Sequence, residues 1–125
     1  KKYNIKFASI TANQDTKVNK LIKNNLLEKT KFSSNSEYDL YFLTNKEKEI
    51  VSSNEKGDPT IFKIEIYLDY RLKKNNIVIF SNTIQKQVTY NNIRDKFELL
   101  RYEENILNNL LENISSEILM SITNL

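Results

Sequence analysis

The chain has no cysteine, no histidine, one glycine and one proline in 125 residues. Without cysteine there is no disulfide, no thiol nucleophile and no thiolate metal site. Without histidine the commonest general base, the commonest transition-metal ligand and the side chain that titrates near neutrality are all missing. A single glycine excludes the phosphate-cradling loops, which need several. Hydrolase, metalloenzyme and nucleotide-loop readings therefore start badly, and no catalytic, cofactor-binding or metal-binding residue is assigned. Nor does any run approach the roughly 18 uncharged apolar residues that cross a bilayer as a helix.

The length fits one domain spanning residues 1–125, large enough to bury a core without staples. The net charge of +3 and the pI near 9.0 raise an anionic partner such as nucleic acid or a membrane surface. The plainer reading is codon usage: Lys, Asn and Ile are abundant while Ala, Gly, Pro and Arg are scarce, as A/T-rich codons produce. The chain opens on "KKYNIKF", already strand-like, so no signal peptide is expected within it. Two expectations stay open: a cytosolic protein, or one whose leader and lipid-bearing residue lie upstream of Lys1.

Tyr3, Ile5 and Phe7 alternate with Asn4, Lys6 and Ala8 and predict a short first strand. Polar "TANQDT" offers Asn13 or Asp15 as a helix cap. Val18, Leu21, Ile22 and Leu26 then recur every three or four residues, a helical stripe ending near Lys31. "FSSNSE" reads as a loop. Tyr38, Leu40 and Phe42 return to a period of two, and Ile50-Val51 extends this strand past the charged "NKEKE". "NEKGDPT" holds the only Gly and Pro and predicts a turn, since Gly57 accepts positive φ and Pro59 cannot donate within a central strand.

The clearest strand follows. Phe62, Ile64, Ile66, Leu68, Tyr70 and Leu72 share one face; Lys63, Glu65, Asp69 and Arg71 share the other. One dry and one wet face favour an antiparallel sheet covered on one side. "KKNN" is a hairpin tip, because Asn tolerates left-handed backbone. Val78, Phe80, Ile84, Val88 and Tyr90 are expected on the inner face of a fourth strand. Asn91-Asn92 ends it, and Asp95-x-x-Glu98 reads as a capping box with its acid at the positive end of the helix dipole. Leu100, Leu107, Leu111, Ile114, Ile118 and Ile122 carry a helical stripe to the C-terminus. The order is β-α-β-β-β-α: an α+β two-layer sandwich, a four-stranded, largely antiparallel or mixed sheet with two helices on one face.

Three constellations have rival readings. Glu103-Glu104 and Glu112 with Glu117 are paired carboxylates, but on a mostly solvated helix such pairs serve solubility far more often than acid–base chemistry. Aromatics among lysines resemble a base-stacking sheet, yet Phe62, Tyr70, Phe80 and Tyr90 fall on the apolar face, and only Tyr67 beside Lys63 and Arg71 fits, so no nucleic-acid partner is expected. The basic tip Arg71-Leu72-Lys73-Lys74 reads first as a charged end that keeps an edge soluble. Its functional reading is an exposed turn whose ammonium groups meet phosphates, with Lys56 in the Gly/Pro turn as a second contact.

In this order, "VNKLIKNNLLEK", "YDLYF", "DPTIFKIEIYLDYRL" and "VTYNNIRDKFELLRYEENILNNLLENISSEILMSI" resemble the LPS-assembly lipoprotein family LptE, in its alphaproteobacterial form, over nearly the whole chain. Two features depart from the family: the lipobox cysteine is not in this sequence, and the last helix carries Asn and Ile where the family has alanines. The resemblance implies a non-enzymatic protein with no cofactor, at the periplasmic face of the Gram-negative outer membrane, held there by an upstream lipid anchor. It implies two partners, an LptD-like β-barrel whose lumen the domain plugs and helps assemble, and lipopolysaccharide on its way to the cell surface. Lys73 and Lys74, with Lys56 and Arg71, are the expected phosphate contacts. The alternative is a periplasmic α+β binding module for a different protein or anionic ligand.

Overall fold

The computed structural model describes residues 3–33 and 35–125; Ser34, in the run expected as a loop, lies outside the described residues. The elements are β1 (Lys6–Phe7), β2 (Ser9–Ala12), α1 (Lys17–Lys29), β3 (Lys31–Phe32), β4 (Tyr38–Ser53), β5 (Pro59–Lys74), β6 (Ile77–Asn91) and α2 (Lys96–Thr123). The main sheet has four strands in the order β2-β4-β5-β6, and β1 and β3 form a separate parallel pair. β2 runs parallel to β4, while β4–β5 and β5–β6 are antiparallel. The mixed α+β sandwich is therefore the observed architecture.

The first strand starts later than the alternation of Tyr3, Ile5 and Phe7 predicts. Its pairing changes partner at Ala8, whose N–H bonds the Tyr38 carbonyl at 2.7 Å. Phe7 before the switch and Ile10 after it are both buried. The first helix is capped by Thr16, not by Asn13 or Asp15: the Thr16 hydroxyl accepts from the Asn19 N–H at 3.1 Å, because Thr16 is the residue immediately before the first helical turn. The helix closes at Lys29, with the Thr30 hydroxyl donating to the Leu26 carbonyl at 2.7 Å.

The inner face of β5 is as dry as its alternation requires: Phe62, Ile64, Ile66, Leu68, Tyr70 and Leu72 are all buried. They meet Val18, Ile22 and Leu26 of α1 and Leu107, Leu111, Ile114 and Ile118 of α2 in one core. Asn75 and Asn76 have φ of 51° and 66°, the left-handed pair that a tight two-residue hairpin turn demands. Gly57 has φ of 86°, and the Asn54 side chain accepts from the Lys56 and Asp58 N–H groups at 2.9 and 3.0 Å. Asp95 caps α2 by accepting from the Phe97 and Glu98 N–H groups at 2.9 and 3.3 Å.

Two expected core residues are not in the core. Leu72 pairs with Phe80 but Lys73 pairs with Val78, so Ile79 is an extra residue in β6. That bulge turns Val78 to the open face, where it is 47% exposed. Leu100 is 56% exposed. It lies in the first turns of α2, ahead of the Ile106-to-Ile122 stretch that packs on the sheet, where Leu99 is the partly buried residue instead.

Candidate functional site

The helices cover one face of the sheet, so the other is the natural place for a partner. Cross-strand register puts on it Asp39, Tyr41, Leu43, Asn45, Glu47 and Glu49 of β4. Beside these stand Lys63, Glu65, Tyr67, Asp69, Arg71 and Lys73 of β5, and Ser81, Thr83, Gln85, Gln87 and Thr89 of β6. The polar residues expected on this face of β5 (Lys63, Glu65, Asp69, Arg71) are thus brought together with Thr83, Gln85 and Gln87 of β6. The strand was expected to run past "NKEKE", but no face was assigned to its charged residues. The available signal was charge alternation with a period of two, lysine on one side and glutamate on the other.

These side chains bond one another across the strands. Thr83 donates to Asp69, Gln85 donates to Glu65 at 2.6 Å and to the Tyr67 hydroxyl at 3.3 Å, and Lys63 pairs with Glu49 at 2.7 Å. The bond to Glu49 is the main reason the Lys63 ammonium holds its proton more tightly than usual, with Glu65 adding to it. Burial, then Glu65, pushes the Tyr67 hydroxyl up. The face is a ladder of fixed donors and acceptors with few apolar side chains.

The basic residues do not converge. Arg71 and Lys73 stand on the open face, Lys73 in register with Asp39. Lys74 stands on the helix side, 3.7 Å from the Glu37 carboxylate and 5.7 Å from the centre of the Tyr38 ring. Lys56 is in the β4–β5 turn at the other end of strands that are about 50 Å long, so one phosphate group cannot touch all four. At the hairpin-tip end an open cleft of about 830 Å³ is lined by Ile5, Lys6, Tyr38, Leu72, Ile79 and Ile122 among others.

A charged cluster pins the start of α2 to the sheet. Tyr90 on β6 donates to the Glu103 carboxylate, Lys48 on β4 pairs with the same carboxylate at 2.6 Å, and the Lys48 ammonium lies 4.3 Å from the centre of the Phe62 ring. Burial raises the Glu103 carboxyl, but the bonds from Lys48 and Tyr90 outweigh it and hold the group below the usual glutamate range. Burial, then Glu103, drives the Tyr90 hydroxyl up beyond its ordinary alkaline range. Glu103 borders a cleft shared with Lys46, Lys48 and Leu100. Among the described residues no helix is long and apolar enough to cross a membrane.

The fold is shared with solved lipoproteins from several organisms. The rare lipoprotein B from Shewanella oneidensis superposes with a TM-score of 0.73 at 13% identity, over 96% of this chain and 95% of that one. An uncharacterized lipoprotein B from Nitrosomonas europaea gives 0.72 at 19% identity, over 94% and 81%. A minor lipoprotein from Acinetobacter baumannii gives 0.70 at 14% identity, over 99% and 94%. No family model and no curated protein sequence matches the chain. At these identities the likeness is one of fold.

Proposed function

We propose that this chain is a non-enzymatic LPS-assembly component of the LptE type, which fills the lumen of an LptD-like β-barrel at the outer membrane and assists lipopolysaccharide transport to the cell surface. The observation that carries this reading is the helix-free sheet face. It is polar along strands of 15–16 residues, its groups are held in place by cross-strand bonds, and its reverse carries the core and two helices. Such a wall matches the polar interior of an outer-membrane barrel. The shared fold with lipoproteins, one of them named rare lipoprotein B, supports the same reading, as does the sequence resemblance. Attachment to the membrane in this reading comes from an upstream lipid.

Affinity purification of the tagged full-length precursor from a detergent extract of outer membranes tests it. A stoichiometric complex with one large β-barrel protein is expected; a chain that elutes free of any barrel refutes the role. Lipopolysaccharide contact is tested apart from it, by titrating purified lipopolysaccharide against wild type and the Lys73→Glu/Lys74→Glu double variant. Weaker binding by the variant is expected, and equal affinity ends that assignment. A second reading, a binding module for another anionic ligand, draws on the tip-end cleft, where Lys6 borders Ile5, Tyr38 and Leu72. It predicts ligand binding by a chain that co-purifies with no barrel.

A further inference from the structure

From Leu43 onward β4 has an edge that no strand among the described residues pairs with. β2 pairs with β4 only from Asp39 to Phe42. The Asn13 N–H then bonds the Phe42 carbonyl at 3.2 Å, after which the chain leaves for α1. From Leu43 to Ser53, β4 has β5 on one side and no strand on the other among the described residues. Backbone groups alternate sides along an antiparallel strand, and the Phe42 carbonyl faces the β2 side. The N–H and C=O groups of Thr44, Lys46, Lys48 and Ile50 therefore point into the empty lane.

On the helix side the lane is only partly covered. The first turn of α1 is bonded to the strand at Thr44, whose hydroxyl donates to Asn19 at 2.5 Å. Beside it lies a cleft of about 190 Å³ in which Val18 of α1 and Leu100, Glu103 and Glu104 of α2 stand against Lys46 and Lys48 of the sheet. Ile50 and Leu100 beside it are 58% and 56% exposed.

Charge selects the occupant. Lys46 and Lys48 stand on the helix side of this edge, Glu47 and Glu49 on the open side. Glu47 lies directly opposite Glu65, and neither carboxylate is in an ion pair among the described residues, an arrangement that like charges in register make unfavourable. A second copy laid antiparallel on this edge, with its helices on the same side, sets lysine beside lysine and glutamate beside glutamate. Self-pairing is therefore opposed. The other free edge, β6, carries a single charged residue, Lys86, over its whole length, and the Asn82 side chain already accepts from the Thr83 N–H at 2.9 Å, so nothing there discriminates between partners.

We infer that the Thr44–Ser52 edge of β4 binds an extended segment of another protein as an added strand. The segment presents an acidic side chain on the helix side, against Lys46, and a basic side chain on the open side, against Glu47, the two charges of this edge that are in no ion pair among the described residues; Lys48 and Glu49 are already held by Glu103 and Lys63. Backbone bonds supply the attachment, and charge alternation fixes the register, since a slip of one residue reverses every pair. The site is the sheet's edge, separate from the face assigned to a barrel wall, and stands independently of that reading.

The test titrates the isotope-labelled chain with two synthetic peptides matched to the length of residues 44–52. One alternates Glu and Lys; the other has the same composition in two blocks, so it cannot sort its charges by face. Expected are amide shifts and slowed exchange at Thr44, Lys46, Lys48 and Ile50 with the alternating peptide, binding of the block peptide weaker by about ten-fold, and affinity that falls with added salt. Lys46→Pro removes a lane-facing N–H without touching the β5 ladder, so it abolishes binding. Lys46→Glu, which keeps the backbone intact, weakens it by about ten-fold. Equal binding of the two peptides, indifference to Lys46→Glu, shifts mapping to β6, self-association through this edge or no shift at all each overturn the proposal.

Discussion

Glu103→Ala removes the acceptor that ties α2 to both β4 and β6, and its cost follows from the exposure of each partner. Tyr90 is 4% exposed, and stranding its hydroxyl costs about 1–3 kcal/mol, the range for a buried polar group left unpaired. The Lys48 side chain is 41% exposed, so that pair contributes at most about 1 kcal/mol. Together these give a loss of about 1–4 kcal/mol, or roughly 3–16 °C in Tm for a chain of this size. With Tyr90→Phe already made, Glu103→Ala should cost no more than about 1 kcal/mol, because only the Lys48 contact remains to lose. The pH dependence has a definite sign. The folded-state pKa of Glu103 lies below its ordinary value of 4.5, so its contribution is fully present above that value and disappears as pH falls through the folded pKa. Urea unfolding followed by circular dichroism, at about pH 7 and about pH 3, should show the variant's deficit shrinking in acid. A deficit below about 0.5 kcal/mol at neutral pH, or one of equal size at both pH values, refutes the account of the cluster.

Two other substitutions test local geometry. The Tyr70 hydroxyl is buried with no hydrogen-bond partner among the described residues, so Tyr70→Phe should leave stability unchanged or raise it by up to about 1 kcal/mol in the same urea assay. Gly57 has φ of 86° with open space where a Cβ would point; Gly57→Ala should therefore cost about 1 kcal/mol through backbone strain alone, with the amide spectrum changed only around the 54–58 turn.

Where a residue's environment was set by its own strand or helix, the sequence disclosed it. β5 alternates without interruption and both its neighbours are fixed by tight turns, so its dry and wet faces follow from residue identity. The turn at Gly57 and the Asn75-Asn76 tip were legible for the same reason: few residues accept positive φ. Val78 was misplaced because Ile77-Val78-Ile79-Phe80 is apolar throughout. Such a run carries no phase, and a bulge within it leaves no mark. Thr16 was passed over as a cap because Asn13, Asp15 and Thr16 are all good caps, and the choice depends on where the preceding strand stops. The Glu103 cluster was invisible for a different reason. Lys48, Tyr90 and Glu103 come from three elements, and nothing local in "NKEKE" or "YEEN" announces that they meet. The candidate basic site was legible only as exposed turns, since whether Lys73 and Lys74 share a face depends on the strand, and Lys56 on the length of the sheet.

Length also explains the most unusual strand in the domain. β4 and β5 each have 16 residues, about 50 Å of sheet, whereas α1 has 13 residues, about 20 Å of helix. α1 therefore covers only the first part of β4. On the covered side the strand reads Leu40, Phe42, Thr44, Lys46, Lys48: apolar beneath the helix, bonded to Asn19 at its margin, cationic beyond it. The lysines serve where the helix stops, because a long side chain can lay its stem on apolar surface and keep its charge in water. Lys48 sits over the Phe62 ring and reaches Glu103 on α2, bridging from strand to helix where α1 does not extend. A longer α1 would allow apolar residues at 46 and 48 and would close the cleft. The short helix and the lysines are thus one feature, and together they leave the lane beside β4 open to another strand.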